Sequence, residues 1–138
     1  MSNVRQLRDK HPENEKITIN LGFVDLGRID LLVQEGFYSN RSDFIRTAIR
    51  NQIETHAELV KTSVERHTME LGLRDYSRAD LEALRDAGEV LHVKVVGLAR
   101  IAGDVTPELA KATIGSITVL GALQASAEIK KALVDRIR

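Results

Sequence analysis

Lys16-Ile17-Thr18-Ile19-Asn20-Leu21 alternates without a break, with Ile17, Ile19 and Leu21 on one face and Lys16, Thr18 and Asn20 on the other. A strict period of two over these residues predicts a half-buried strand, which Gly22 ends. A lone strand can neither cover its apolar face nor satisfy its edges. With helices following it directly, this strand needs a partner, and the simplest is the same strand of a second copy, antiparallel across a two-fold axis. Ile17, Ile19 and Leu21 of both copies then lie over the helices, while Lys16, Thr18 and Asn20 face outward together.

Outward from that stretch the period changes to that of a helix. Leu26, Ile29, Leu32 and Val33 predict a first helix from about Val24 to Glu35, stopped at Gly36. Asn40 is a good N-cap for a second helix, and Asp43, three residues on, suits a capping-box-like pair. Phe44, Ile45, Ala48, Ile49 and Ile53 give that helix an apolar stripe. Neither Gly nor Pro interrupts the pattern before Gly72, so the helix is expected to extend towards Met69.

A two-stranded ribbon fits the DNA major groove, and Asn and Thr side chains can bond base edges there. Asn20 could bond adenine bidentately, Lys16 could reach guanine, and Thr18 could bond a base or touch a thymine methyl. The first amides of the second helix lack intrahelical partners and carry the positive end of its dipole, which makes that end, among Ser39, Asn40, Arg41 and Ser42, a phosphate site.

Residues 16–53 resemble the ribbon-helix-helix family of bacterial and plasmid regulators, the CopG, Arc and MetJ type. The resemblance rests on Lys16–Leu21 and on Gly36-Phe-Tyr-Ser-Asn-Arg-Ser-Asp-Phe-Ile-Arg46, where a glycine, an Arg-Ser pair, an acidic residue and a later isoleucine recur at the family's spacing. It implies an obligate homodimer whose core includes Ile17, Ile19, Leu21, Phe44, Ile45 and Ile49. It also implies base reading by Lys16, Thr18 and Asn20, and phosphate binding at Asn40, Arg41 and Ser42. In the family's metal-sensing branch a C-terminal domain holds nickel through histidines and a cysteine. Here there is no cysteine and the histidines are scattered at 11, 56, 67 and 92, so no metal and no cofactor is expected.

Composition sets bounds on this reading. Apolar residues make up 43% and charged residues 29% of 138 residues, which is globular. No apolar run is long enough for a membrane span, and the start lacks a secretory signal, so a cytoplasmic protein is expected. Twenty basic and twenty acidic residues cancel, and residues 1–56 carry eight of each, so phosphate affinity must come from placement and dimerisation, not from net charge. No phosphate-binding loop, nucleophile motif or metal dyad is present, which argues against an enzyme.

The expected organisation is α+β: an arm at 1–14, the ribbon-helix-helix module at 15–70, a helical connector at 71–89 and a small α/β module at 90–138. In the connector Ser77 caps a short helix that Gly88 ends. Beyond it lie a strand at 90–101, a helix opened by Thr106-Pro107, a strand at 114–123, and a helix capped by Ser126 running to the C-terminus. Val93-Lys-Val-Val-Gly-Leu-Ala aligns with Ile117-Thr-Val-Leu-Gly-Ala-Leu at an offset of 24 residues, placing Gly97 over Gly121. Two repeated strand units that stack on each other or on a neighbouring chain explain it, and the pattern resembles β-solenoid turns.

The resulting expectation is a sequence-specific transcriptional regulator, a repressor, with double-stranded DNA and a second copy as partners and residues 90–138 joining dimers into higher oligomers. One alternative is an antitoxin with a toxin as partner, against which the apolar, patterned C-terminal half argues. The other is a self-assembling scaffold that uses the N-terminal module only to dimerise.

Overall fold

The computed structural model describes residues 13–138, so the expected arm at 1–14 lies, but for its last two residues, outside the described residues. The chain divides into two compact units, residues 14–63 and a second built on residues 64–138.

In the first unit, residues 14–22 form no helix and pair with no other strand of the described chain. Helix α1, Phe23–Gln34, follows. Gly36, at φ +86°, reverses the chain; its amide donates to Val33 and the Phe37 amide donates to Leu32, each at 3.0 Å. This pair of bonds satisfies carbonyls that α1 leaves open, in a left-handed turn that glycine adopts at little cost. Helix α2 runs Arg41–Thr55 and α3 runs Ala57–Arg66. The expected single long helix is therefore interrupted at His56, with neither Gly nor Pro responsible. The Thr55 hydroxyl donates back to the Asn51 carbonyl at 3.0 Å, and the His56 amide turns to Ile53, three residues back. A threonine bonding the preceding turn competes with the helical ladder and bends it.

The second unit consists of β1, Glu70–Tyr76, α4, Arg78–Asp86, β2, Leu91–Ile101, α5, Pro107–Thr113, β3, Ile114–Gln124, and α6, Ala127–Ala132. The strands form one parallel sheet in the order β1-β2-β3. Each β-α unit is a coil, and each helix has its own cap: the Ser77 hydroxyl accepts from the Asp80 amide, Thr106 from Leu109 and Ser126 from Ile129. Asp80 accepts from the Ser77 amide in return, completing a capping box, and these bonds hold its carboxyl below the ordinary carboxylate range.

Strand alternation sends Val93, Val95, Ala99 and Ile101 to the buried face, where they meet Leu81, Leu109, Ile114, Ile117, Ile129 and Leu133. Each valine, leucine and isoleucine among them contributes roughly 1.5–3 kcal/mol by leaving water. The only buried polar side chain among the described residues, Thr113, donates to the Leu109 carbonyl at 2.7 Å.

Two expectations need correction here. Residues 71–89 are not only a helical connector: they supply β1 and α4, so the repeat has three strand units. Gly72, Gly97 and Gly121 stand in register across the sheet, all with positive φ, where two strand units and two glycines were expected. A Cβ on Gly97 would sit 2.1 Å from the Gly72 carbonyl oxygen, and one on Gly121 would sit 2.0 Å from that of Gly97. The closing helix, moreover, ends at Ala132. The tail turns back so that Ile117 donates to Arg136 and Arg138 donates to Ile117 along the outer edge of β3. Arg136 secures the turn by donating to the carbonyls of Lys111 and Ile114 at 2.6 and 2.8 Å.

Candidate nucleic-acid interface

Residues 16–21 keep every apolar side chain in solvent within the single chain: Ile17 is 70% exposed, Ile19 54% and Leu21 38%. Beside the last two lies an open groove of about 360 Å³, walled by Ile29 and Leu32 of α1 and by Phe44, Ile45, Ala48 and Ile49 of α2. The charged residues lining it, Asp25 and Arg28, pair with each other at 3.6 Å. Five of the six residues expected in a dimer core, Ile19, Leu21, Phe44, Ile45 and Ile49, thus share one apolar concavity, and Ile17 lies two residues from its rim. Lys16, Thr18 and Asn20 are all exposed.

The start of α2 is built as its sequence suggests. The Asn40 side chain accepts from the Asp43 amide at 2.8 Å. The return bond from Asp43 goes one residue further than a capping box would place it, accepting from the Ser39 amide at 2.9 Å. The turn between the helices is braced by Tyr38 and Phe44, whose rings meet edge to face with centroids 5.0 Å apart. Ser39, Asn40, Arg41 and Ser42 are thereby gathered around the first turn, where the amides of Arg41 and Ser42 precede the helical ladder and point out of the helix end.

Arg41 has a partner that sequence reasoning missed. Its Nε and Nη2 donate to the two carboxylate oxygens of Asp30, on α1, each at 2.8 Å. This bidentate pairing holds the Asp30 carboxyl below its ordinary range and raises Arg41 further. Both groups are solvent-exposed, so the pair can exchange Asp30 for another anion with little desolvation cost. Eleven residues separate the two, and no local pattern marks such a pair in advance.

No three His, Asp or Glu side chains among the described residues cluster as a metal site would require. His56 instead meets Gln52 at 3.2 Å. No helix among the described residues is long and apolar enough to cross a membrane.

A model of the Ribbon-Helix-Helix transcriptional regulator family matches residues 12–130, most of the chain and both of its units. Comparison with curated proteins and with solved structures gave no match.

Proposed function

The chain belongs to the ribbon-helix-helix transcriptional regulator family, a family of DNA-binding regulators, and from that premise we propose that it acts as a homodimeric, sequence-specific repressor. Residues 16–21 of two copies pair as an antiparallel ribbon. One observation carries this reading: the apolar face Ile17, Ile19 and Leu21 stands uncovered beside an uncovered apolar groove. A second copy supplies what both lack, burying strand and groove together, and contiguous apolar surface of this kind marks an interaction site.

The polar face then does the reading. Lys16, Thr18 and Asn20 of both copies project from the ribbon into the major groove. The first amides of α2, with Ser39, Asn40 and Ser42 around them, take a phosphate on either side and fix the register. Arg41 joins them by exchanging Asp30 for phosphate. A dimer so placed over a promoter excludes other proteins from it, which is repression in its simplest form.

The antitoxin alternative gains no support from a C-terminal half that holds its own buried core. The scaffold alternative is weakened by the C-terminal tail, which lies on the outer edge of β3 where a head-to-tail neighbour would add.

Selection of binding sites from random duplex DNA tests the proposal. The full-length protein is expected to enrich a short symmetric motif, and Asn20→Ala to lose ~1–3 kcal/mol of discrimination at one base of each half-site. An unchanged preference in the variant removes Asn20 as a reader. No enrichment by an intact dimer removes the ribbon from DNA recognition altogether.

A further inference from the structure

The sheet of the second unit has unequal edges. The start of β3's outer edge is occupied by the chain's own C-terminal residues, whereas among the described residues nothing pairs with β1 on the side away from β2. An exposed strand edge offers a row of free amides and carbonyls, and proteins ordinarily shorten, bend or cover it. β1 contains no proline.

The sequence of that edge is self-complementary. It reads Glu70-Leu71-Gly72-Leu73-Arg74, with opposite charges at equal distances from a central glycine and a leucine on each side of it. We propose that β1 pairs antiparallel with β1 of a second copy about a two-fold axis through Gly72, joining two sheets into one of six strands. Each Glu70 then lies opposite the other copy's Arg74, each Leu71 opposite a Leu73, and Gly72 opposite itself. Opposite charges and apolar pairs placed directly across strands are the contacts that stabilise an antiparallel ladder.

Three further observations agree. Glu70 and Arg74 are half-exposed and in the single chain form an ion pair with each other, with Arg74 also bonded to Tyr76, so at such exposure the pair can be exchanged across the axis. Leu71 and Leu73 lie on the sheet face away from the core, in register with Val96 and Leu98, and Leu71 is 64% exposed. Pairing sets each against its counterpart. Gly72 holds the same positive-φ backbone as Gly97 and Gly121, yet a Cβ on it would meet nothing within 4 Å. At 97 and 121 a neighbouring carbonyl excludes any side chain; a facing strand extends that crowding to 72. A two-fold contact of β1 with itself is isologous, so each β1 edge takes one partner strand and is then closed.

The pairing goes beyond the ribbon and shares with it only the choice of a second copy as partner. The chain has no cysteine, so introduced thiols report without ambiguity. In the double variant Leu71→Cys/Leu73→Cys each thiol faces one on the partner, whereas in either single variant like positions are diagonal and ~7–8 Å apart, beyond easy disulfide reach. Under mild oxidation, the full-length double variant is expected to form covalent dimers about tenfold faster than either single variant or Leu120→Cys, a comparably exposed position on β3.

If the double variant links no faster than Leu120→Cys while sedimentation shows a dimer, the edge pairing is wrong and the ribbon stands. A protein that sediments as a monomer until oxidised, yet links rapidly, keeps the edge pairing and removes the ribbon dimer. A monomer that does not link removes both. Should the cysteines unfold the sheet, a mixture of Glu70→Arg and Arg74→Glu chains answers instead. Across the axis only the mixed dimer sets opposite charges face to face, so native mass spectrometry should find it at about four-fifths or more of all dimers. The statistical half overturns the proposal.

Discussion

Residues 14–63 and residues 64–138 solve the problem of burial in opposite ways. The first unit hides one apolar side chain, Ile29, and leaves Ile17, Ile19, Phe23, Val24, Leu31, Phe37, Ile49 and Ile53 exposed. The second has a continuous core from Leu81 to Leu133, with every coil contributing to it. Stability is a small difference between large burial and entropy terms, so a unit with so little burial cannot stand alone, while the other can. The contrast separates two jobs. In the proposed reading the N-terminal unit is completed by what it binds, first its own copy and then DNA, whereas the C-terminal unit already holds its own core.

The sharpest break of that comparison lies in the glycine ladder. Gly97→Ala must both hold a side chain at φ +139° and push it into the Gly72 carbonyl. It is expected to cost about 4 kcal/mol, combining strained backbone with overpacking. Gly72→Ala has the same backbone penalty without an intrachain clash and should cost about 2 kcal/mol in a monomeric state. Denaturant unfolding of the two variants checks the difference, and equal losses would mean that the ladder is held by backbone conformation alone.

Next in size is a pair of truncations, one per unit. Leu133→Ala removes a fully buried side chain and should lower stability by about 3 kcal/mol at any protein concentration. Ile45→Ala, on the wall of the open groove, should produce a loss that grows on dilution, because its missing contacts are those made with a partner. Unfolding midpoints at two well-separated concentrations distinguish them. A concentration-independent loss for Ile45→Ala would make the first unit self-sufficient and undo the contrast.

Much of both units was legible because local rules decide them. The stripe from Phe44 to Ile53 marked α2, and Gly36 and Asn40 act in the turn as their types suggest, while residues 16–21, whose alternation predicts a strand, stay unpaired in the single chain. The Ser77, Thr106 and Ser126 caps and the Gly97–Gly121 repeat were equally plain. What escaped was decided by distant parts of the chain. β1 is short and carries Glu70, Arg74 and Asp75, so its period is weak, and only its register against β2 shows that Gly72 belongs to the repeat. The break at His56 depends on one hydroxyl choosing a carbonyl. The tail leaves its helix because β3 has an edge to offer, and Asp30 meets Arg41 only once the two helices have packed.

Two residues beyond the end of α3 lies Thr68, the only residue other than glycine at positive φ among the described residues, at 55°. Its amide donates to Glu65 and that of Met69 to Val64, the same closing pattern that Gly36 provides for α1. A β-branched residue in this conformation is strained. Thr68→Gly should therefore stabilise the folded chain by about 1 kcal/mol, less the entropy that glycine adds to the unfolded state. A destabilised variant in thermal unfolding would show that the Thr68 side chain makes contacts outweighing the strain.

The smallest effect bears most directly on how the first unit is completed. Asp30 occupies both hydrogen-bonding edges of Arg41 that a phosphate would use, so in the free protein it competes with DNA for the guanidinium. Asp30→Asn keeps the shape and removes the charge. If Arg41 binds phosphate, the variant should bind operator DNA a few-fold more tightly at moderate salt. In the complex Arg41 faces phosphate in both proteins, so the slope of log affinity against log salt should stay where it was. The same titration separates the opposite arrangement, in which Asp30 holds Arg41 as a brace that positions the start of α2. In that case Asp30→Asn loosens the turn, affinity falls, and the slope becomes shallower as phosphate contacts at the start of α2 are lost. Affinity and slope together discriminate, because removing a competitor strengthens binding without adding a contact, whereas removing a brace weakens it by taking contacts away.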